Sequence, residues 1–170
     1  KLTDEQVIFV SNHQSFIDAR VVAGVFPARI LKKTSFLAID LYFKKGFMKY
    51  IAENANIVVI DINNNIKHTI EEITNALKQG KNILIFPEGA RTKDGKVGQF
   101  KKVFAILAKE LNISVQCIGI KGAFEAYSRY MKFPKPRKIE VKVLEKFSPE
   151  GTYEEIAAKA ENIIREYVEN

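Results

Sequence analysis

Apolar residues in this chain fall into short continuous runs separated by amphipathic stretches. Runs of strand type occupy 7–10, 57–60, 83–86 and 113–120, and a weaker one lies at 29–33. The segment 139–144 alternates apolar with charged residues, as a half-buried strand does. Between the runs the period changes. Ile66, Ile70, Ile73 and Leu77 recur at helical spacing and stop before Gly80, a common helix terminator. Val103, Ile106, Leu107 and Leu111 repeat the pattern. Ile156, Ala160, Ile163, Ile164 and Tyr167 form a third stripe near the carboxyl end. Strands alternating with helices predict an α/β domain with a largely parallel sheet. Such sheets bind ligands at the carboxyl ends of their strands, so the residues that follow each run are the ones that matter. The 132–138 segment carries Pro134 and Pro136 among four basic residues and reads as an exposed loop. No internal repeat or linker divides the chain, and 1–170 is read as one domain.

The 170 residues are 46% apolar and 28% charged, a globular composition. A single cysteine, Cys117, excludes an internal disulfide framework, and two histidines beside it argue against structural zinc. No apolar run approaches the roughly 18 to 20 residues of a membrane-spanning helix. Lys and Arg number 27 against 20 acids, a net charge of +7. That balance favours an anionic partner: nucleic acid, phosphorylated small molecules or an acidic membrane. The chain begins at Lys1 with strand-like residues from Val7, and is expected to be part of a longer protein.

Candidate chemistry follows two of the runs. After the first comes Ser11-Asn12-His13-Gln14-Ser15-Phe16-Ile17-Asp18. On one continuous helix His13 and Asp18 would lie about 140° apart and not meet. They meet if His13 lies in the turn and Asp18 in the first helical turn. An imidazole held by a carboxylate through one nitrogen is a general base through the other. A structural reading stands beside this: Ser15 and Asp18 have capping-box spacing, and Asn12 is ordinary turn chemistry. After the 83–86 run comes Pro87-Glu88-Gly89-Ala90-Arg91-Thr92-Lys93-Asp94-Gly95. Gly89 permits close backbone approach, and Arg91 offers a planar fork for phosphate. A turn with solvated charges explains the same residues.

Taken together, Asn-His-x4-Asp and, about 70 residues later, Phe-Pro-Glu-Gly-Ala-Arg resemble the glycerophospholipid acyltransferase family, of the 1-acyl-glycerol-3-phosphate acyltransferase type. The resemblance runs from residue 7 to about 143. It implies an α/β fold with a mostly parallel or mixed central sheet flanked by helices. It implies that His13 is the general base and that Asp18 orients it. Phe86, Pro87, Glu88, Gly89 and Arg91 are implied to bind the acceptor, Arg91 at its phosphate and Glu88 by orienting Arg91 or a hydroxyl. The implied donor is a thioester of coenzyme A or acyl carrier protein. The acceptor is a lysophospholipid or glycerol phosphate, attacked without an acyl-enzyme and with no metal or cofactor. Association with a membrane, at its cytoplasmic face, is implied too.

The chain departs from the family pattern in places. Ile62 stands where the family often has an arginine, removing a phosphate contact unless Lys67 or another cation replaces it. Ala90 replaces a frequent threonine, and Val115-Gln116 a frequent Val-Pro. A non-catalytic lipid- or acyl-carrier-binding module is the competing expectation. Nucleic-acid binding rests on charge alone, without a motif, and is not expected. His68 reads as a solvated helix residue and Cys117 as a small core residue. The 36–48 stretch reads as a core helix or as an acyl-chain or membrane-facing patch near Lys44, Lys45 and Lys49.

Overall fold

The computed structural model describes residues 2–39, 57–60 and 66–170. In chain order the described elements are β1 (Val7–Ser11), α1 (Asp18–Val25), α2 (Ala28–Leu31), β2 (Thr34–Ile39), β3 (Ile57–Ile60), α3 (Ile66–Lys78), β4 (Asn82–Ile85), α4 (Val103–Glu110), β5 (Ser114–Lys121), α5 (Ala123–Tyr127), β6 (Glu140–Phe147) and α6 (Tyr153–Glu169). They fall into two compact units, Lys1–Phe26 with Ile85–Asn170, and Pro27–Leu84. Ile62 and the 40–56 segment, with Lys44, Lys45 and Lys49, lie outside the described residues.

The larger unit carries both motif turns. β1 runs parallel to β5, with Val7 opposite Ser114 and Ser11 opposite Ile118. β5 pairs antiparallel with β6, from Val115 opposite Phe147 to Lys121 opposite Glu140. The sheet is therefore mixed. Val7, Ile8, Phe9 and Val10 are all fully buried, which is why β1 reads as an unbroken apolar run rather than an alternating one. The β5–β6 register shifts between Gln116 and Ile118. There the buried Gln116 amide donates to the Leu144 carbonyl at 2.9 Å, a bond that a proline at 116 cannot make. Cys117 is fully buried, and burial pushes its thiol up to about 12.

Helix α6 starts from a complete capping box between Thr152 and Glu155. It buries Ile156, Ala157, Ala160 and Ile164 and packs on β5. The two approach closely at Gly119, where a Cβ would lie 2.2 Å from a Tyr167 ring carbon. Helix α4 turns a different face inward from the one its spacing predicts. Phe104, Ala105, Leu107 and Ala108 are buried, whereas Val103 and Ile106 are exposed. Apolar residues surround most of this short helix, and the Phe104 ring, edge-on to Phe100, takes the inner position.

In the smaller unit β2 lies between parallel β3 and β4, with Phe36 opposite both Ile57 and Leu84. The 29–33 run is not a strand. Pro27, at φ −56°, starts a helical turn, and its carbonyl accepts from Ile30 and Leu31 at 2.9 and 3.0 Å. The Thr34 hydroxyl donates to the Ile30 carbonyl at 2.8 Å, and β2 begins there. Residues 36–39 are accordingly strand, not the start of a core helix. A short apolar run suits either state, and main-chain pairing on both edges decides for the strand. α3 ends as its sequence predicts: at Gly80, φ +79°, the Gly80 and Lys81 amides donate to Leu77 and Ala76 at 2.9 and 3.1 Å, a Schellman motif.

Gly122 caps α5 with φ +80°, and a Cβ there would lie 2.2 Å from the main-chain oxygen of Lys138. Gly122→Ala is expected to destabilise the fold by about 2 kcal/mol or more. Urea unfolding measures this, and a change within about 0.5 kcal/mol contradicts it.

Candidate active site

The site begins where β1 runs out of strand. Asn12, buried one residue beyond β1, extends the ladder with its side chain. Its amide donates to the Ile120 carbonyl at 2.9 Å and its oxygen accepts the Ile120 N–H at 2.8 Å. The chain then turns, and His13 faces outward with its side chain 24% exposed. The His13 Nδ1 lies 2.8 Å from Asp18 Oδ2, and Asp18 is fully buried as the first residue of α1. The same oxygen accepts the Gln14 and Ser15 main-chain N–H groups at 2.6 and 2.7 Å. A carboxylate oxygen only accepts, so a neutral His13 donates from Nδ1 and leaves the lone pair on Nε2. The ring stacks on Phe86 with centroids 4.4 Å apart. The capping box suggested by Ser15 and Asp18 is half formed. Asp18 reaches back to the Ser15 N–H, but the Ser15 hydroxyl goes to the Tyr127 carbonyl at 2.6 Å.

The second motif wraps around the first. Glu88 Oε1 accepts the His13 main-chain N–H at 2.8 Å, and its Oε2 accepts that of Gly98 at 3.0 Å. The His13 carbonyl accepts from the Thr92 amide at 2.8 Å, and Pro87 accepts from the Lys101 amide at 2.9 Å. The Glu88 carboxylate is thus engaged by main chain and makes no ion pair with Arg91. Gly89 adopts φ +75°, and a Cβ on it would lie 2.7 Å from the Lys101 ammonium. The Arg91 guanidinium has no hydrogen-bond or ion-pair partner among the described residues. Arg91, Lys93, Lys96 and Arg165 line a cleft of about 420 Å³ with Glu88 and Gly98. No three His, Cys, Asp or Glu side chains among the described residues converge as metal ligands do.

A sequence profile of the Acyltransferase family matches residues 1–121. This chain belongs to that family. It is 27% identical over 121 residues to a chloroplastic 1-acyl-sn-glycerol-3-phosphate acyltransferase of Arabidopsis thaliana, covering 71% of this chain and 33% of that protein. It is 32% identical over 123 residues to the 1-acyl-sn-glycerol-3-phosphate acyltransferase of Chlamydomonas reinhardtii, covering 70% of this chain and 35% of that one. The chain thus spans about a third of the length of these curated relatives. The crystal structure of the 1-acyl-sn-glycerophosphate (LPA) acyltransferase PlsC from Thermotoga maritima superposes with a TM-score of 0.86 at 26% identity, over 99% of this chain and 67% of that one.

The site of this acyltransferase-family chain includes residues that its motifs do not reveal. Val97 and Phe100 are buried in irregular chain, so their N–H groups need acceptors. Glu169 Oε1 takes the Val97 N–H at 3.1 Å and Glu161 Oε2 that of Phe100 at 2.8 Å. Arg165 bridges these two helix α6 carboxylates at 2.8 and 3.0 Å. In the sequence Glu161, Arg165 and Glu169 show only the i,i+4 spacing of a charged helix face. Nothing in that spacing points to a loop some 60 residues away. Gly98 is legible only afterwards: a Cβ there would lie 2.9 Å from Glu88 Oε2.

Burial raises the carboxyl of Glu88 above its ordinary 4.5, and its bonds from the His13 and Gly98 amides only partly offset this. A raised carboxyl binds its proton more tightly in the folded state. Stability from the protonated form is therefore complete below 4.5 and lost as pH rises through the folded value. Glu88→Gln has nothing to titrate there. The unfolding free energy of wild type minus that of Glu88→Gln is expected to fall with rising pH across that window in urea titrations. A difference that grows with pH contradicts the assignment.

Proposed function

We propose that the chain is an acyltransferase domain that moves a fatty acyl group from a thioester of coenzyme A or acyl carrier protein to a hydroxyl of a lysophospholipid, of the 1-acyl-glycerol-3-phosphate type, or of a glycerol phosphate. The observation that carries this is the His13–Asp18 pair at 2.8 Å, with the ring partly exposed and its Nε2 without a hydrogen-bond partner among the described residues. The names of the relatives support the acceptor class.

In this reading the acceptor hydroxyl gives its proton to His13 Nε2 as its oxygen attacks the thioester carbonyl. The tetrahedral intermediate collapses, the C–S bond breaks, and the departing thiolate takes the proton back from His13. Asp18 holds the ring and stabilises the imidazolium. No acyl-enzyme forms, and Cys117 is buried away from the reaction. Arg91 binds the acceptor phosphate through its free guanidinium. Lys101, whose ammonium lies over Gly89, supplies a second cation and offsets the arginine missing at position 62. Phe86 and Pro87 shape the site, and Glu88 and Gly89 act through the backbone they position. The domain works at the cytoplasmic face of a membrane, although no helix among the described residues is long and apolar enough to cross one.

The test is thiol release from acyl-coenzyme A and acyl carrier protein thioesters, with lysophosphatidic acid, glycerol 3-phosphate or lysophosphatidylethanolamine as acceptor. His13→Ala is expected to lower kcat by about 10² to 10⁴. Arg91→Ala is expected to raise the KM for a phosphate-bearing acceptor by about 10- to 100-fold while leaving the thioester KM unchanged. Acceptor-independent release, or a His13→Ala variant as active as wild type, overturns the proposal. Lysolipid binding with no turnover favours the binding module.

A further inference from the structure

We propose that the loop at 129–138 is a docking surface for an anionic lipid bilayer. The segment reads Arg-Tyr-Met-Lys-Phe-Pro-Lys-Pro-Arg-Lys and contains no acid. Tyr130 is 68% exposed and Phe133 78%, more than any other large apolar side chain among the described residues. A phenyl ring held in water at a loop tip gains nothing from the fold. At a bilayer interface it buries its ring while neighbouring ammonium groups meet the head groups. Lys132, Lys135 and Arg137 form no ion pair among the described residues, whereas Lys138 is paired with Glu140 at 2.6 Å. The free cations thus flank the exposed ring.

Two main-chain bonds tie the loop down. The Lys135 amide donates to the Ala126 carbonyl at 2.7 Å and the Met131 amide to Ser128 at 3.1 Å. Pro134 and Pro136 restrict the rest, so docking orders little that is not already fixed. The base of the loop touches both motif turns. Ser15 donates to the Tyr127 carbonyl at 2.6 Å, and Arg129 Nη1 donates to the Arg91 carbonyl at 3.3 Å. A bilayer bound here presents its lipids beside the catalytic turn. That consequence rests on the acyltransferase reading; the docking itself does not.

The chain contains no tryptophan, so Phe133→Trp introduces a single fluorescent reporter. Wild type and Phe133→Trp are expected to sediment with vesicles of phosphatidylcholine and phosphatidylglycerol far more than with phosphatidylcholine alone, and the tryptophan emission to shift to the blue. Replacing Lys132, Lys135 or Arg137 by Ser is expected to weaken partitioning about five-fold each. Phe133→Ser is expected to weaken it about ten-fold. Unchanged emission from a sedimenting Phe133→Trp protein, or a Phe133→Ser variant that binds as wild type does, overturns the proposal. So does loop-dependent binding to duplex DNA without binding to vesicles. Turnover with a detergent-dispersed acceptor is expected to be the same in the loop variants as in wild type. If no protein turns over any acceptor, the vesicle result still decides the docking surface, so the two readings fail separately.

Discussion

Buried main-chain N–H groups that no helix or strand can satisfy govern this site. The turn after β1 and the loop after β4 both carry irregular backbone through the protein interior, where an unpaired N–H is costly. Carboxylates supply the acceptors. Asp18 takes the Gln14 and Ser15 amides, Glu88 those of His13 and Gly98, Glu161 that of Phe100 and Glu169 that of Val97. Each is a charge-assisted bond, worth about 1.5–3 kcal/mol where a neutral one contributes about 1. The bonds also form a chain: helix α6 fixes the 97–100 segment, Gly98 fixes Glu88, and Glu88 fixes the peptide from which the His13 ring projects.

This arrangement explains an awkward feature of the second motif. Glu88 lies in a segment read as binding phosphate, which it would repel. Its two oxygens instead face main chain, and the raised carboxyl reflects the cost of burying it. Glu161 and Glu169 share the Arg165 guanidinium, which offsets half of their charge locally. Asp94 at the same cleft is likewise bonded, to the Thr92 hydroxyl and the Lys96 amide, so among the described residues the charged groups lining the cleft without a hydrogen-bond or ion-pair partner are cations, Arg91 foremost. The concentration of acids is therefore compatible with the anionic acceptor of the proposed reaction: the acids hold the scaffold, and the bases are left for a ligand.

How much of this was legible in the sequence follows from the range of each interaction. The runs at 7–10, 83–86 and 113–120 announce strands because burial on both faces favours apolar residues at most positions. The His13–Asp18 contact is local enough to be anticipated from a strand-to-helix turn. The Glu88 bonds are not, because their partners are backbone atoms 75 and 10 residues distant, and backbone has no sequence signature. The helical turn at Ala28–Leu31 was hidden by an apolar run too short to have a period. The inner face of α4 was hidden by apolar residues on nearly every side. The role of α6 was hidden because its carboxylates read as ordinary helix-surface charge.

On the acyltransferase reading, the chemistry asks little of the protein beyond position. A thioester is already activated, and a hydroxyl needs only to lose its proton as it attacks. The large term is the entropy of bringing two amphiphilic chains and one imidazole together, and well-oriented groups recover about 7–11 kcal/mol of such a barrier. Position is what the carboxylate-held loop supplies on the protein side, since His13 is fixed through its ring by Asp18, through its N–H by Glu88 and through its carbonyl by Thr92. The lipid side needs an equivalent restraint, because a long-chain acceptor is concentrated and oriented at an interface rather than in water. A docking loop whose base bonds to the Arg91 carbonyl places the two restraints side by side, so that the scaffold fixes the base and the bilayer fixes the hydroxyl it must reach.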